Sequence, residues 1–172
     1  LNGVLPFEIV LTFQDTMYKN FSNISRIQKL QEDLKEEKYL STSLSIVDAM
    51  KFISQAYANG KASKYELDFS NPKDQRYFSR IINSKYFKNT FVNQKKDNNN
   101  GFVRSFLDST HHSTRITLQI ADIGTSSMDS LIDRINERVS SIINPEQYSL
   151  SQCDKDEDFH NFYLQNRRIN FQ

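Results

Sequence analysis

The side chains able to do chemistry fall in a few places along this chain, and each has a plain structural reading beside the functional one. His111 and His112 are adjacent. Neighbours on a strand point to opposite faces, and neither histidine has a second ligand at metal spacing, so both read as loop residues. Cys153, Asp154, Asp156, Glu157, Asp158 and His160 form a denser run. A calcium loop needs a turn glycine and a terminal acidic ligand at fixed offsets, and both are absent. A zinc site needs more soft ligands within reach. The run therefore reads as a solvated charge cluster. No G-x-S-x-G, phosphate loop, G-x-G-x-x-G or H-E-x-x-H occurs. Cys153 has no activating signature, and a lone cysteine forms no internal disulfide. No catalytic residue, metal ligand or cofactor is expected, and the expectation is a protein that is not an enzyme. Asn20-Phe21-Ser22 and Asn23-Ile24-Ser25 match the glycosylation sequon, a pattern that arises by chance in a chain rich in Asn and Ser.

The elements that would position any site are clearer. Pro6–Phe13 alternates, with Phe7, Ile9, Leu11 and Phe13 on one face and Glu8, Val10 and Thr12 on the other. Period-2 alternation marks a half-buried strand. Asn23 or Ser25 can cap a helix over Ser25–Lys38, whose apolar positions are Ile24, Ile27, Leu30 and Leu34. Tyr39–Ser43 reads as a short strand. Ser45 and Asp48 form a capping box for a helix over Ile46–Asn59, stopped at Gly60. Lys61–Phe69 is irregular. Asn71-Pro72 opens a third helix that runs to Asn83.

A short helix or turn is expected over Phe87–Val92, and Gln94–Gly101 reads as a polar loop. Phe102–Leu107 alternates weakly. Thr114–Ile123 is the second strong strand, with Ile116, Leu118 and Ile120 on one face. After Gly124, Ser126 and Asp129 make a further capping box. Met128, Leu131, Ile132, Ile135, Val139 and Ile142 then form the clearest amphipathic pattern in the chain, ended by Asn144-Pro145. A last strand is expected at Gln147–Ser151. A β-α-β unit used twice, with a helical insertion at about 45–101, predicts an α+β fold of the ferredoxin-like split βαβ type over residues 1–151. Residues 152–172 read as a polar tail or a divergent connection.

Composition narrows the function classes. Lys and Arg number 22 against 21 Asp and Glu, a near-balance that offers no broad electrostatic footprint for nucleic acid. A ferredoxin-like sheet can carry RNA recognition, but the Thr114–Ile123 strand has no aromatic to stack a base. The mean hydropathy is −0.65, and no apolar run approaches the length of a membrane span. No signal peptide is expected, since the start LNGVLPFE has no basic n-region. A start at Leu1, without Met and almost directly in a strand, is expected of a piece of a longer protein.

Several stretches together resemble a known family. Gly3-Val4-Leu5-Pro6-Phe7-Glu8-Ile9 resembles the "G-x-x-P-x-E-hydrophobic" opening of the large extracytoplasmic loops in RND-superfamily (resistance–nodulation–division) exporters. The similarity is to the single-chain, MmpL-like and Patched-like kind. Thr42-Ser43-Leu44-Ser45-Ile46-Val47-Asp48 resembles the family's "T-L-S-L-V-D-Y-L" segment. Phe106-Leu107-Asp108, Arg115-Ile116 and Asp122-Ile123-Gly124 resemble its "D-x-x…A-R-I-x-V-x-L-K-D-L-G" strand. The family's "T-G-T/S" motif after the last strand has no counterpart, since no Gly follows Gly124.

The resemblance implies a periplasmic porter subdomain of a proton-driven inner-membrane exporter, with a split βαβ fold. Its partners would be the transmembrane helices and second porter domain of its own chain, and its cargo a hydrophobic or lipid-like molecule. Glu8, Met50, Phe52, Tyr77 and Phe78 are then the candidates to line the substrate path. Aromatic positions at helical spacing also fit simple core packing. Two other readings stand beside transport. One is a free-standing extracytoplasmic ligand- or peptide-binding domain with the same core. The other is a small hydrolase or isomerase, for which His111, His112 and His160 are the only histidines on offer.

Overall fold

The computed structural model describes residues 4–13, 20–87, 106 and 112–145. Strand β1 (Val4–Thr12) buries Ile9 and Leu11 and leaves Glu8 exposed, as its alternation requires. Strand β2 (Ser113–Ala121) buries Thr114, Ile116, Leu118 and Ile120. The two pair antiparallel in one unbroken register, with Ile9 opposite Ile116 and Phe7 opposite Leu118. One face of this ribbon is therefore apolar, and the other carries Glu8, Val10, Arg115, Thr117 and Gln119.

Four helices complete the described structure. Helix α1 (Phe21–Leu34) starts earlier than its sequence suggests, because Asn20 supplies the cap. The Asn20 side-chain oxygen accepts from the amides of Ser22 and Asn23. Asn23 lies inside the helix and is buried. Helix α2 (Ile46–Tyr57) has the expected capping box, with Ser45 and Asp48 satisfying each other's free amides. Its stop is shifted by one residue. Asn59, at φ 54°, holds the left-handed position. The amide of Gly60 then reaches back to Gln55 and that of Asn59 to Ala56, the paired bonds of a Schellman motif.

Helix α3 (Pro72–Asn83) opens on the Asn71 cap with proline in its first turn. Helix α4 (Thr125–Ile143) takes Gly124 as its N-cap, so position 126 lies inside the helix and not at the capping position expected of it. Single helical turns occur at Ala62–Lys64 and Lys85–Phe87.

Helices α1 and α4 share the core under the ribbon. Ile24, Ile27, Leu30 and Leu34 of α1 meet Leu131, Ile135, Val139 and Ile143 of α4, together with the inward residues of both strands. The α4 stripe recurs every fourth residue, so Ile143 rather than Ile142 is its last fully buried member. Charge locks the same pair. Arg138 binds Asp33 at 2.9 Å and Glu37 at 3.1 Å, and Arg134 approaches Glu37 at 3.3 Å. Helices α2 and α3 join the core through Met50, Ile53, Phe78 and Ile81. A second tie runs from α1 to α2, where the buried Gln31 amide holds Ser43, Ser45 and Asp48.

The sheet corrects the expected architecture. The described residues form an open two-stranded antiparallel sheet with four helices, not a ferredoxin-like split βαβ sandwich. Tyr39–Ser43 lies along the outer edge of β2 but makes only isolated bridges at Leu40 and Leu44. The reason is local. The amide of Gln119 donates to the Ser41 hydroxyl instead of to a backbone carbonyl, so a side chain interrupts the ladder. The expected strand at Gln147–Ser151, the loop at Gln94–Gly101 and the tail 152–172 lie outside the described residues. So does the Phe102–Leu107 strand, apart from Phe106, whose carbonyl accepts from Thr114 and Arg115.

A second correction concerns the membrane. Among the described residues no helix is long and apolar enough to cross one. The membrane-protein and RND-exporter attributes implied by the resemblance are therefore not carried by this structure.

Candidate functional site

Of the residues expected to line a path, Met50 and Phe78 share one buried cluster with Tyr77 packed against it, while Glu8 and Phe52 are exposed elsewhere. Met50 and Phe78 are core residues, 2% and 1% exposed. Phe78 meets Phe69 edge-on at 5.6 Å, and Phe21 stacks on Phe69 at 6.3 Å. Phe52 lies on the opposite side of α2 and is 54% exposed. Tyr77 is partly buried, with the Lys64 ammonium 4.3 Å from its ring centre. Glu8 lies on the face of the ribbon away from the core and pairs with Arg115 at 3.5 Å. Both partners are about half exposed, so this pair contributes little to stability.

The chemistry-bearing side chains fare similarly. Of the histidine pair, His112 is described; its Nδ1 lies 3.2 Å from the carbonyl of Phe13, at the end of the ribbon. His111, Cys153 and the acidic run to His160 lie outside the described residues. Among the described residues, no group of three or more His, Cys, Asp or Glu is placed to hold a metal ion. Among the described residues, two groups titrate away from their ordinary range, both in the connection between α2 and α3. Burial pushes the Tyr65 hydroxyl up, helped by the Asp48 carboxylate. Hydrogen bonds from the Ser70 hydroxyl and amide hold Asp68 below the usual carboxylate range. Asp68 is an exposed turn residue, and these bonds explain its shift without any ligand.

A different feature stands out in the backbone. In an antiparallel ribbon, alternate residue pairs exchange their amides and carbonyls, and the pairs between them point those groups outward. The Phe13 amide donates to His112 at 2.9 Å, which sets the phase. Leu11, Ile9, Phe7 and Leu5 then bond inward to β2, while Val4, Pro6, Glu8, Val10 and Thr12 point to the far edge. The same phase sends Arg115, Thr117, Gln119 and Ala121 of β2 outward on its own far edge. There the bonds are observed, to Phe106, Leu44, Ser41 and Tyr39.

The two edges of the ribbon are thus unequal. That of β2 is covered by the 39–44 segment and Phe106. Along β1, the amides and carbonyls of Glu8 and Val10 have no partner among the described residues. Pro6 has no amide to offer and bounds this open stretch on one side. Sequence reasoning identified the strand and singled out the Glu8 side chain. It missed that the backbone at Glu8 and Val10 lacks a partner among the described residues, because which edge of a strand is covered depends on its neighbours and not on its own residues.

No known protein family, no curated protein and no solved structure matches the chain.

Proposed function

We propose that this chain is a binding module that accepts an extended segment on the outer edge of β1 at Glu8 and Val10. The observation behind this reading is that the backbone donors and acceptors at Glu8 and Val10 have no partner among the described residues, on a strand whose opposite edge is bonded to β2. An exposed edge is a template for a further strand, whose main-chain hydrogen bonds give affinity and whose alternate side chains give specificity. Here the incoming strand meets apolar neighbours on one face, Phe7 and Phe13, both partly buried. On the other face it meets Glu8 and Val10. A porter role drew its structural support from a split sandwich. With an open two-stranded sheet in its place, the edge is the better-supported site.

Selection from a displayed library of random linear peptides tests the reading. Peptides should enrich on the wild-type chain and not on Val10→Pro, which deletes the central outward amide. A selected peptide should slow amide exchange at Glu8 and Val10. Enrichment that is indifferent to Val10→Pro, or no enrichment at all, rules the edge out as the binding site.

A further inference from the structure

The stop of α2 carries a feature independent of the β1 edge. Asn59 is followed by Gly60, and both are exposed. Asn59 sits at φ 54°, a left-handed conformation that is costly for a residue with a β-carbon. Gly60 has no side chain to shield its own amide nitrogen, and a β-carbon placed there would meet nothing within 4 Å. The pair therefore sets a nucleophilic nitrogen next to the Asn59 carboxamide carbon, with a five-membered ring as the product of attack. Two bonds stand in the way. The Gly60 amide donates to the Gln55 carbonyl at 2.9 Å, and the Gly60 carbonyl accepts from the Gln55 side-chain amide at 3.3 Å. Gln55 thus holds Gly60 by both its polar backbone groups. While these bonds last, the Gly60 nitrogen keeps its proton and the peptide plane does not turn towards the Asn59 side chain.

We infer that Asn59-Gly60 is a self-modification site, at which the chain deamidates through a succinimide when the α2 stop opens. The Gly60 nitrogen attacks Cγ of Asn59. The N–Cγ bond forms and the Cγ–Nδ2 bond breaks. Nδ2 leaves as ammonia, with the proton that the Gly60 amide gives up. Water then opens the ring. Cleavage at Cγ leaves aspartate. Cleavage at the backbone carbonyl of residue 59 leaves isoaspartate, with the chain running through the former side chain. Water is consumed, ammonia is released, and nothing is oxidised or reduced.

The products do not restore the stop. Both put a carboxylate at the C-terminal end of α2, where the helix dipole is negative. Isoaspartate also lengthens the backbone before Gly60 and carries its amide away from Gln55. The Schellman motif is therefore a gate on a one-way change, and its opening is a local event that does not require the whole domain to unfold.

The full chain serves for the test. Cleavage after Lys51 and Lys61 yields the peptide 52–61, in which Asn59 is the only asparagine. In native chain held in neutral buffer and digested at intervals, this peptide should gain the mass of deamidation, with fragmentation placing it at residue 59. In the urea-unfolded chain the same peptide should convert on the order of tenfold faster, because no cap remains to be opened. Gln55→Ala keeps the backbone bond and a good helix former but removes the side-chain hold on Gly60. It should speed conversion severalfold in the native chain and leave the unfolded rate unchanged. Amide exchange at Gly60 should quicken by the same factor, since both reactions need the same opening.

Native and unfolded chains that convert at one rate overturn the gate, and this comparison stands even if Gln55→Ala fails to fold. A folded Gln55→Ala chain that converts no faster than wild type overturns it too. A native chain that stays unmodified while the Gly60 amide exchanges freely overturns the site itself, as does mass gained at Gln55 in place of Asn59.

Discussion

Ser54 sits fully buried in α2, and its hydroxyl has no hydrogen-bond partner among the described residues. A buried hydroxyl without a partner is costlier than a methyl group in the same place, because folding removes it from water and returns nothing. The contrast with Ser45 is instructive. That hydroxyl is equally buried, but it donates to Gln31 at 2.7 Å and accepts from the Val47 amide at 3.0 Å. Alanine should therefore have opposite effects at the two positions. Ser54→Ala is expected to be neutral or to stabilise by up to about 1 kcal/mol, and Ser45→Ala to cost about 1–2 kcal/mol as a lost cap. Urea titration of both variants beside the wild type measures the pair. A loss of stability in Ser54→Ala shows that the hydroxyl is satisfied in solution and removes the argument.

Among the elements, the α1–α4 contact combines apolar stripes with a charged rim. Glu37 is 9% exposed and faces two guanidiniums, those of Arg134 and Arg138. Arg138 also donates to the carbonyl of Asp33 at the end of α1. Replacing it by Met keeps the aliphatic stem but strips Glu37 and Asp33 of their shared cation. Because Glu37 is nearly buried and Arg134 remains, the expected cost is about 1–2 kcal/mol, above an exposed pair and below an abandoned buried charge. A double-mutant cycle with Glu37→Gln should recover part of that loss, and strict additivity would show that the two residues do not interact. Nothing in the sequence pairs these residues, since they lie about a hundred positions apart.

What the sequence does carry is local. The alternation of β1 and β2, the Ser45–Asp48 box and the Asn71-Pro72 start each depend on a few neighbouring residues, and each appears where its pattern places it. The misplaced boundaries have the same origin. Asn20 and Asn23 are both good caps, and tertiary burial of Ile24 and Ile27 draws the helix back to the earlier one. The number of strands was not legible, because pairing along β2 depends on whether Ser41 offers its backbone or its hydroxyl. The candidate site was half legible for a related reason. A strand announces its faces by alternation, but its edges only through its neighbours.

At the scale of the whole molecule, the decisive question is whether α2 and α3 form a separate unit or share the core of the sheet and its two helices. Their position in the middle of the chain favours an independent insertion. The packing favours union. Phe78 of α3 meets Phe69 of the connecting segment and, at 6.5 Å, Phe21 at the start of α1. Met50 and Ile53 of α2 belong to the same continuous buried cluster as Ile116 and Leu118 of β2. A ring deleted from that junction should be felt on both sides of it. Phe78→Ala is expected to destabilise by about 3–5 kcal/mol, the range for emptying a buried aromatic site. The chain has no tryptophan, so Phe52→Trp, at an exposed position of α2, gives an emission signal from that region alone, whereas the helix signal in circular dichroism also covers α1 and α4. In one cooperative unit the two probes must give the same midpoint, and Phe78→Ala must lower both by the same amount. If emission melts first, or if the variant shifts emission alone, α2 and α3 unfold on their own, and the sheet with α1 and α4 stands as the minimal body that presents the β1 edge.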